Sequence, residues 1–374
     1  MGQYWELYNI SARQAMSSSA GVKLSGGMLF SEDWHALVRY LAKPTGYIKE
    51  VTWRKLKVAK PEHKKQLGAL FRLPDEILAL ILKEMLNAPR GSDEFWSFFT
   101  LAITNSYLSD IAYEVVQRHF AENWAAHRLI CVGDYASTND LPPGVFHQDE
   151  LDAIASLNPR PSLQRYLKTE CIYDHRATSI LGFEVYKAPE ALNYLLLRFH
   201  AREDPAARRQ VKCLDDLCTP RLLYDAPYHE WVLADIVTKE LVRLEAIVDL
   251  QECEAVVGTG PFIYGSYQFF GLGHVILSRI CWSADPSVAM ETDGLSYEIH
   301  RGPWAGHRFT ITTKDRLGKG DEWTDISDQV RDDMEVLAKH CFETDDWREY
   351  VKGERYDDVW DRGSVLPSRW LFDH

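Results

Sequence analysis

Between Leu73 and Phe120 the apolar residues recur at helical intervals, and beyond Trp124 they do not. That change of period constrains the fold more than any other feature, because a helix-period pattern and a strand-period pattern bury different faces. Pro74 suits a first helical turn, Asp75 and Glu76 complement the positive end of a helix, and Ile77, Leu78, Ile81, Leu82, Met85 and Leu86 form a wide apolar stripe. Pro89-Arg90-Gly91-Ser92 breaks the pattern; Ser92 or Asp93 then caps a second helix carrying Phe98, Phe99, Leu101 and Ala102. A third, from about Ser106 to Asn123, presents Leu108, Ile111, Ala112, Val115, Val116 and Phe120. Three short helices with such faces pack as a small bundle.

After the bundle, Arg128-Leu129-Ile130-Cys131-Val132-Gly133 is a short apolar run that reads as a buried strand. The later half alternates expected helices, such as His229 to Leu244, with expected strands, such as Ala246 to Leu250 and Phe309 to Thr313. The fold class is therefore α+β: an N-terminal segment (1–65) contributing to a mixed domain, a helical element (66–123), and the mixed domain itself (124–374). Upstream, Leu37, Val38, Tyr40 and Leu41 follow Ser31-Glu32-Asp33 as a short amphipathic helix. One string occurs twice: Trp124-Ala125-Ala126-His127-Arg128 and Trp304-Ala305-Gly306-His307-Arg308 each lead into a strand. The copies are too far apart for a solenoid and point to two similar strand-leading units.

Charge and cysteine usage narrow the function classes. With 374 residues, 42 Lys+Arg against 55 Asp+Glu and a formal charge of −13, the chain argues against a surface that tracks nucleic-acid backbones. The basic stretch from Lys49 to Lys65 reads as a solvated linker. Seven irregularly spaced cysteines imply a reducing compartment, cytoplasmic or nuclear, and the closest pair, Cys213 and Cys218, lacks the second Cys/His pair of a structural zinc site. The first residues have neither a basic flank nor an apolar run, so no secretory signal is expected. From Ala255 to Ser278 there is no charged residue, but its glycines and Pro261 make one unbroken apolar helix improbable, and no membrane span is expected.

Leu73-Pro74-Asp75-Glu76-Ile77-Leu78 with Ile81, Leu82 and Met85 resembles the opening helix of an F-box, and Leu101-Ala102-Ile103-Thr104-Asn105-Ser106-Tyr107-Leu108 resembles its later part. The resemblance implies an element that docks on the Skp-type adaptor of SCF-type ubiquitin ligases, with Leu73, Pro74, Ile77, Leu78 and Ile81 as the docking surface. Periodicity alone leaves open whether that stripe meets a partner or this chain's own core. A wider resemblance, carried by Met1-Gly2-Gln3-Tyr4-Trp5, by 124–135 and by Arg301-Gly302-Pro303-Trp304, is to uncharacterised fungal proteins with F-box-like helices. It implies an intracellular setting and lends no activity.

The competing expectation is an enzyme or small-ligand binder. Gly258-Thr259-Gly260-Pro261 lacks the lysine of a phosphate loop, but Tyr264, Tyr267 and Trp304 offer pocket walls beside His274. His307, Arg308 and Asp134 supply a titratable ring, a cation and an orienting carboxylate. No metal or cofactor motif accompanies them, and Cys131 and Cys281 lie in apolar runs where burial leaves a thiol inert.

Overall fold

The computed structural model describes residues 3–11, 14–15, 22–24, 29, 37–38, 40–47, 72–88, 93–104, 106–122, 126–157, 161–171, 222–252, 260–262, 270–288, 292–318, 322–342 and 344–351. The expectations for 49–65, Cys213 and Cys218, Trp124, Tyr264 and Tyr267 lie outside them. The architecture is α+β, built on a mixed sheet with strand order β10-β7-β6-β9-β4-β1-β2. In chain order these are β1 (Trp5–Asn9), β2 (Gln14–Ala15), β4 (His127–Gly133), β6 (Trp231–Asp235), β7 (Glu240–Arg243), β9 (Arg308–Thr313) and β10 (Thr324–Asp325). The short β8 (Cys281–Trp282) also pairs with β4, and β3 (Gly46–Tyr47) pairs with β5 (Leu222–Leu223) as a separate ribbon.

Strand β4 pairs with three others, and its two edges are used differently. Along one edge it runs antiparallel to β1, from Trp5 opposite Gly133 to Asn9 opposite Leu129. The other edge is divided: His127 and Arg128 pair antiparallel with β9, whereas Cys131 and Val132 pair parallel with β8. Side chains alternate across this strand as its pleat requires. Leu129 and Cys131 enter the main core with residues such as Ile247, Val275, Ile276 and Met334; Ile130 and Val132 enter a second core with Val145, Phe146, Ile154 and Leu163. Burial on both faces explains why its sequence is a continuous apolar run.

The repeated string has a structural counterpart. Arg128 and Arg308 are direct partners in the antiparallel β4–β9 pair. The two strand-leading units therefore meet where β4 pairs with β9.

Two expectations for the later half are corrected. His229 to Leu244 is a 3-10 turn followed by the hairpin β6–β7, and Ala246 to Leu250 belongs to an α-helix, Leu244–Leu250. All five residues of β6 are buried, and a strand covered on both faces carries no alternation to set it apart from a buried helix. The hairpin turn includes Lys239 at φ 58°, a left-handed conformation that ends the strand without a glycine.

The helical element forms as expected, with α1 (Asp75–Asn87), α2 (Asp93–Thr104) and α3 (Ser106–Glu122). Its own core gathers Leu82, Leu86, Phe98, Phe99, Ala102, Ala112, Tyr113 and Val116. Leu222 of β5 packs against this cluster, which joins the bundle to the small ribbon. Among the described residues no helix is long and apolar enough to cross a membrane.

Candidate functional site

Helix α1 divides its apolar residues between two faces. Pro74 precedes it in extended conformation and Asp75 and Glu76 occupy its first turn. Leu78, Leu82 and Leu86, four residues apart, are buried against the bundle. Ile77, Leu80 and Ile81 are 41%, 55% and 39% exposed and lie side by side on the outer face. Of the residues predicted for docking, Pro74, Ile77 and Ile81 are exposed, Leu73 is half-buried, and Leu78 points into the chain's own core. Leu78 is therefore a packing residue. Leu80 takes a place on the surface that sequence reasoning gave it no share in; its signal is its position three residues after Ile77 and one before Ile81 on a helix apolar over most of its circumference.

Beside this ridge runs a groove of about 320 Å³ between α1 and α3. Glu76, Ala79, Leu80 and Lys83 form one wall at helical spacing, and Val115, Arg118 and His119 form the other. The Tyr107 hydroxyl donates to Asp75, pinning the start of α3 beside the start of α1, so the two helices run in the same direction. At the far end the Nζ of Lys83 acts on His119: burial first, and then this cation, holds the imidazole pKa below its usual range. The groove has an acidic end at Glu76, an apolar floor and a cationic end.

The residues proposed for a ligand cleft do not converge. His274 is buried in helix Leu272–Arg279, where its Nδ1 accepts the Gly271 N–H at 3.1 Å and its ring meets Phe270 edge-on. Trp304 is fully buried: its indole N–H donates to Glu240 at 2.6 Å, and its ring lies against Phe309 and under the guanidinium of Arg279. It is a core residue, not a pocket wall. Arg279 in turn forms a buried ion pair with Asp333 at 2.8 Å, which also accepts from the backbone and hydroxyl of Ser296. Asp134 lies beyond the opposite end of β4 from His127 and accepts the Tyr4 N–H at 3.2 Å. Arg308 is exposed at the start of β9.

His307 instead finds a carboxylate that the sequence did not single out. Its Nδ1 lies 2.6 Å from Oδ2 of Asp235, which is fully buried at the end of β6. Asp235 also accepts the Val237 N–H at 2.9 Å and stands 2.8 Å from the Thr238 hydroxyl. The equivalent histidine of the first copy, His127, stacks on Tyr40 with centroids 4.4 Å apart, and its Nδ1 is 3.1 Å from both the Tyr40 hydroxyl and the Asn9 amide. The signal for Asp235 was an Asp closing the apolar run Trp231-Val232-Leu233-Ala234, where an Asx turn starts a hairpin. Chemically the Asp235–His307 pair orients an imidazole. Among the described residues, no group of three or more His, Cys, Asp or Glu could hold a metal ion. Cys131 and Cys281 are buried free thiols, and burial pushes the Cys131 thiol pKa up.

Comparison of the chain with family models, with curated proteins and with solved structures returns no match.

Proposed function

We propose that this is an intracellular protein-interaction molecule whose helical element docks on a Skp-type adaptor, while the mixed domain engages a second partner. The observation that carries the reading is the outer face of α1, where Ile77, Leu80 and Ile81 stay in water although the same helix already buries Leu78, Leu82 and Leu86. Adjacent apolar side chains left exposed, with a groove alongside, mark an interaction surface more often than a solvated face. The F-box resemblance of Leu73 to Met85 supplies the class of partner.

The test is a titration of the purified full chain with a purified Skp-type adaptor, read by calorimetry. Binding that falls at least tenfold in the Ile77→Glu, Ile81→Glu double variant supports the reading. Absence of binding by the unaltered, folded chain ends it. The small-ligand alternative draws on the Asp235–His307 pair, with the imidazole 14% exposed, but the aromatic residues and His274 that were to complete its cleft are in the core or outside the described residues.

A further inference from the structure

The sheet sets two cysteines side by side. Cys131 and Cys281 are register partners in the parallel β4–β8 pair, and register partners on neighbouring strands point to the same face. That face is the main core, which buries both side chains completely, whereas the next residues along, Val132 and Trp282, enter the second core. Paired strands lie roughly 4.7–4.9 Å apart, within the roughly 4.4–6.8 Å that separates the Cα atoms of a disulfide. The two side chains are hydrogen-bonded to each other, and the Cys281 thiol donates to Leu277 O at 3.2 Å. Both cysteines are free thiols.

Burial acts differently on the two steps by which such a pair oxidises. The attacking species is a thiolate, and burial pushes the Cys131 thiol pKa up, so attack on an outside reagent is slow. Once one sulfur is oxidised, the other is already in contact with it, and this second step needs no access from solvent. The element that must move to admit a small oxidant is short. Strand β8 is two residues long, and local opening of so small an element lies below global unfolding in free energy.

We infer that Cys131 and Cys281 are a reversible disulfide site that closes when the chain meets hydrogen peroxide. One thiolate attacks the peroxide O–O bond, giving a sulfenic acid and, after protonation, one water. The partner thiol then forms the S–S bond and displaces the sulfenic oxygen as a second water. The two sulfurs lose two electrons, the peroxide gains them, and the two thiol protons end in the waters. A dithiol reductant reverses the link by exchange. The link fastens β8 to β4 and joins segments distant in sequence, so it restricts the unfolded chain. It does not depend on the adaptor-docking reading.

The experiment incubates the full chain, folded and reduced, with hydrogen peroxide at neutral pH, alkylates the remaining thiols in denaturant, and maps the peptides by mass spectrometry without reductant. The expected result is at least tenfold more of the Cys131–Cys281 link than of any other disulfide that involves either residue. The linked chain should unfold at higher urea than the reduced one, and dithiothreitol should return both the thiols and the lower midpoint. Recovery of both residues as alkylated thiols overturns the assignment, as does oxidation of either to a sulfinic acid without a link, or preferential pairing of either with another cysteine. A link that forms only when the peroxide treatment is run in unfolding concentrations of urea overturns it too, because the folded register would then not be what joins the sulfurs. A link formed at the expense of the fold, seen as a lower urea midpoint, has the same consequence.

Discussion

Gly306 sets the geometry of the second strand-leading unit. Its φ of +76° lies in the left-handed region, and a Cβ there would sit 2.2 Å from a methyl carbon of Val145. Gly306 N–H donates to Leu129 O and Leu129 N–H donates to His307 O, so two residues of one segment face one residue of β4 in a glycine bulge. The bulge delivers the His307 ring to Asp235. Gly306→Ala combines the left-handed penalty with overpacking against Val145, and should cost about 2–3 kcal/mol in urea unfolding. A loss under about 0.5 kcal/mol would mean that the bulge relaxes freely. A Cβ at Gly133 would meet the carboxamide of Gln3, which is buried and held by Ser283 and Asp285, so that position is closed by a side chain already fixed in place.

At the scale of elements, α1 makes two opposite demands on its residues, and they can be separated by stability. Leu82 is buried in the bundle core, so Leu82→Ala should cost about 2–5 kcal/mol. Ile77→Ser and Ile81→Ser remove side chains about two-fifths exposed and should each cost about 1 kcal/mol, well below Leu82→Ala, measured by thermal or urea unfolding of the same chain. A large cost for Ile81→Ser would place it in the chain's own core and remove the docking surface. The helices themselves were legible in the sequence because Pro74, the acidic first turn and the repeat of Leu78, Leu82 and Leu86 agree with one another. Strand β4 was legible for a different reason, its short apolar run between polar boundaries. The stretch 229–250 was not, since Trp231 to Ala234 and Ala246 to Val248 are both short buried apolar runs, and tertiary pairing with β7 and β9 makes the first of them a strand. The partition of α1 into inner and outer faces was likewise beyond periodicity, which reports that a stripe is apolar and not what covers it. Asp235 escaped notice because its partner lies 72 positions away, brought beside it by the β6–β9 register.

For the molecule as a whole, the polar groups at the strand ends set how stability responds to acid. Burial depresses the pKa of His127 to about 4, with Asn9 and Tyr40 arranged to donate to its Nδ1. Burial likewise lowers the pKa values of His119 and His300. Such a histidine is neutral when folded and protonates near 6.5 when unfolded, so its contribution is fully present above that pH and is lost progressively as the pH falls toward 4. Asp325, held by Ser327 and Arg243 below the usual carboxylate range against the opposing pull of burial, adds its loss only at lower pH still. A competing effect has the opposite sign: protonating histidines reduces the formal charge of −13 and with it the self-repulsion of the compact state. At 0.15 M salt that repulsion is screened beyond about 8 Å, whereas desolvation of a buried ring is not. The histidine effect should therefore prevail, and stability should fall by about 2–3 kcal/mol from His127 alone between pH 6.5 and 4. Urea midpoints measured across that range check it, with His127→Gln as the comparison. The variant should start less stable at neutral pH and lose less on acidification; parallel pH curves for the two proteins would assign the acid response to groups other than the Asn9, Tyr40 and His127 cluster.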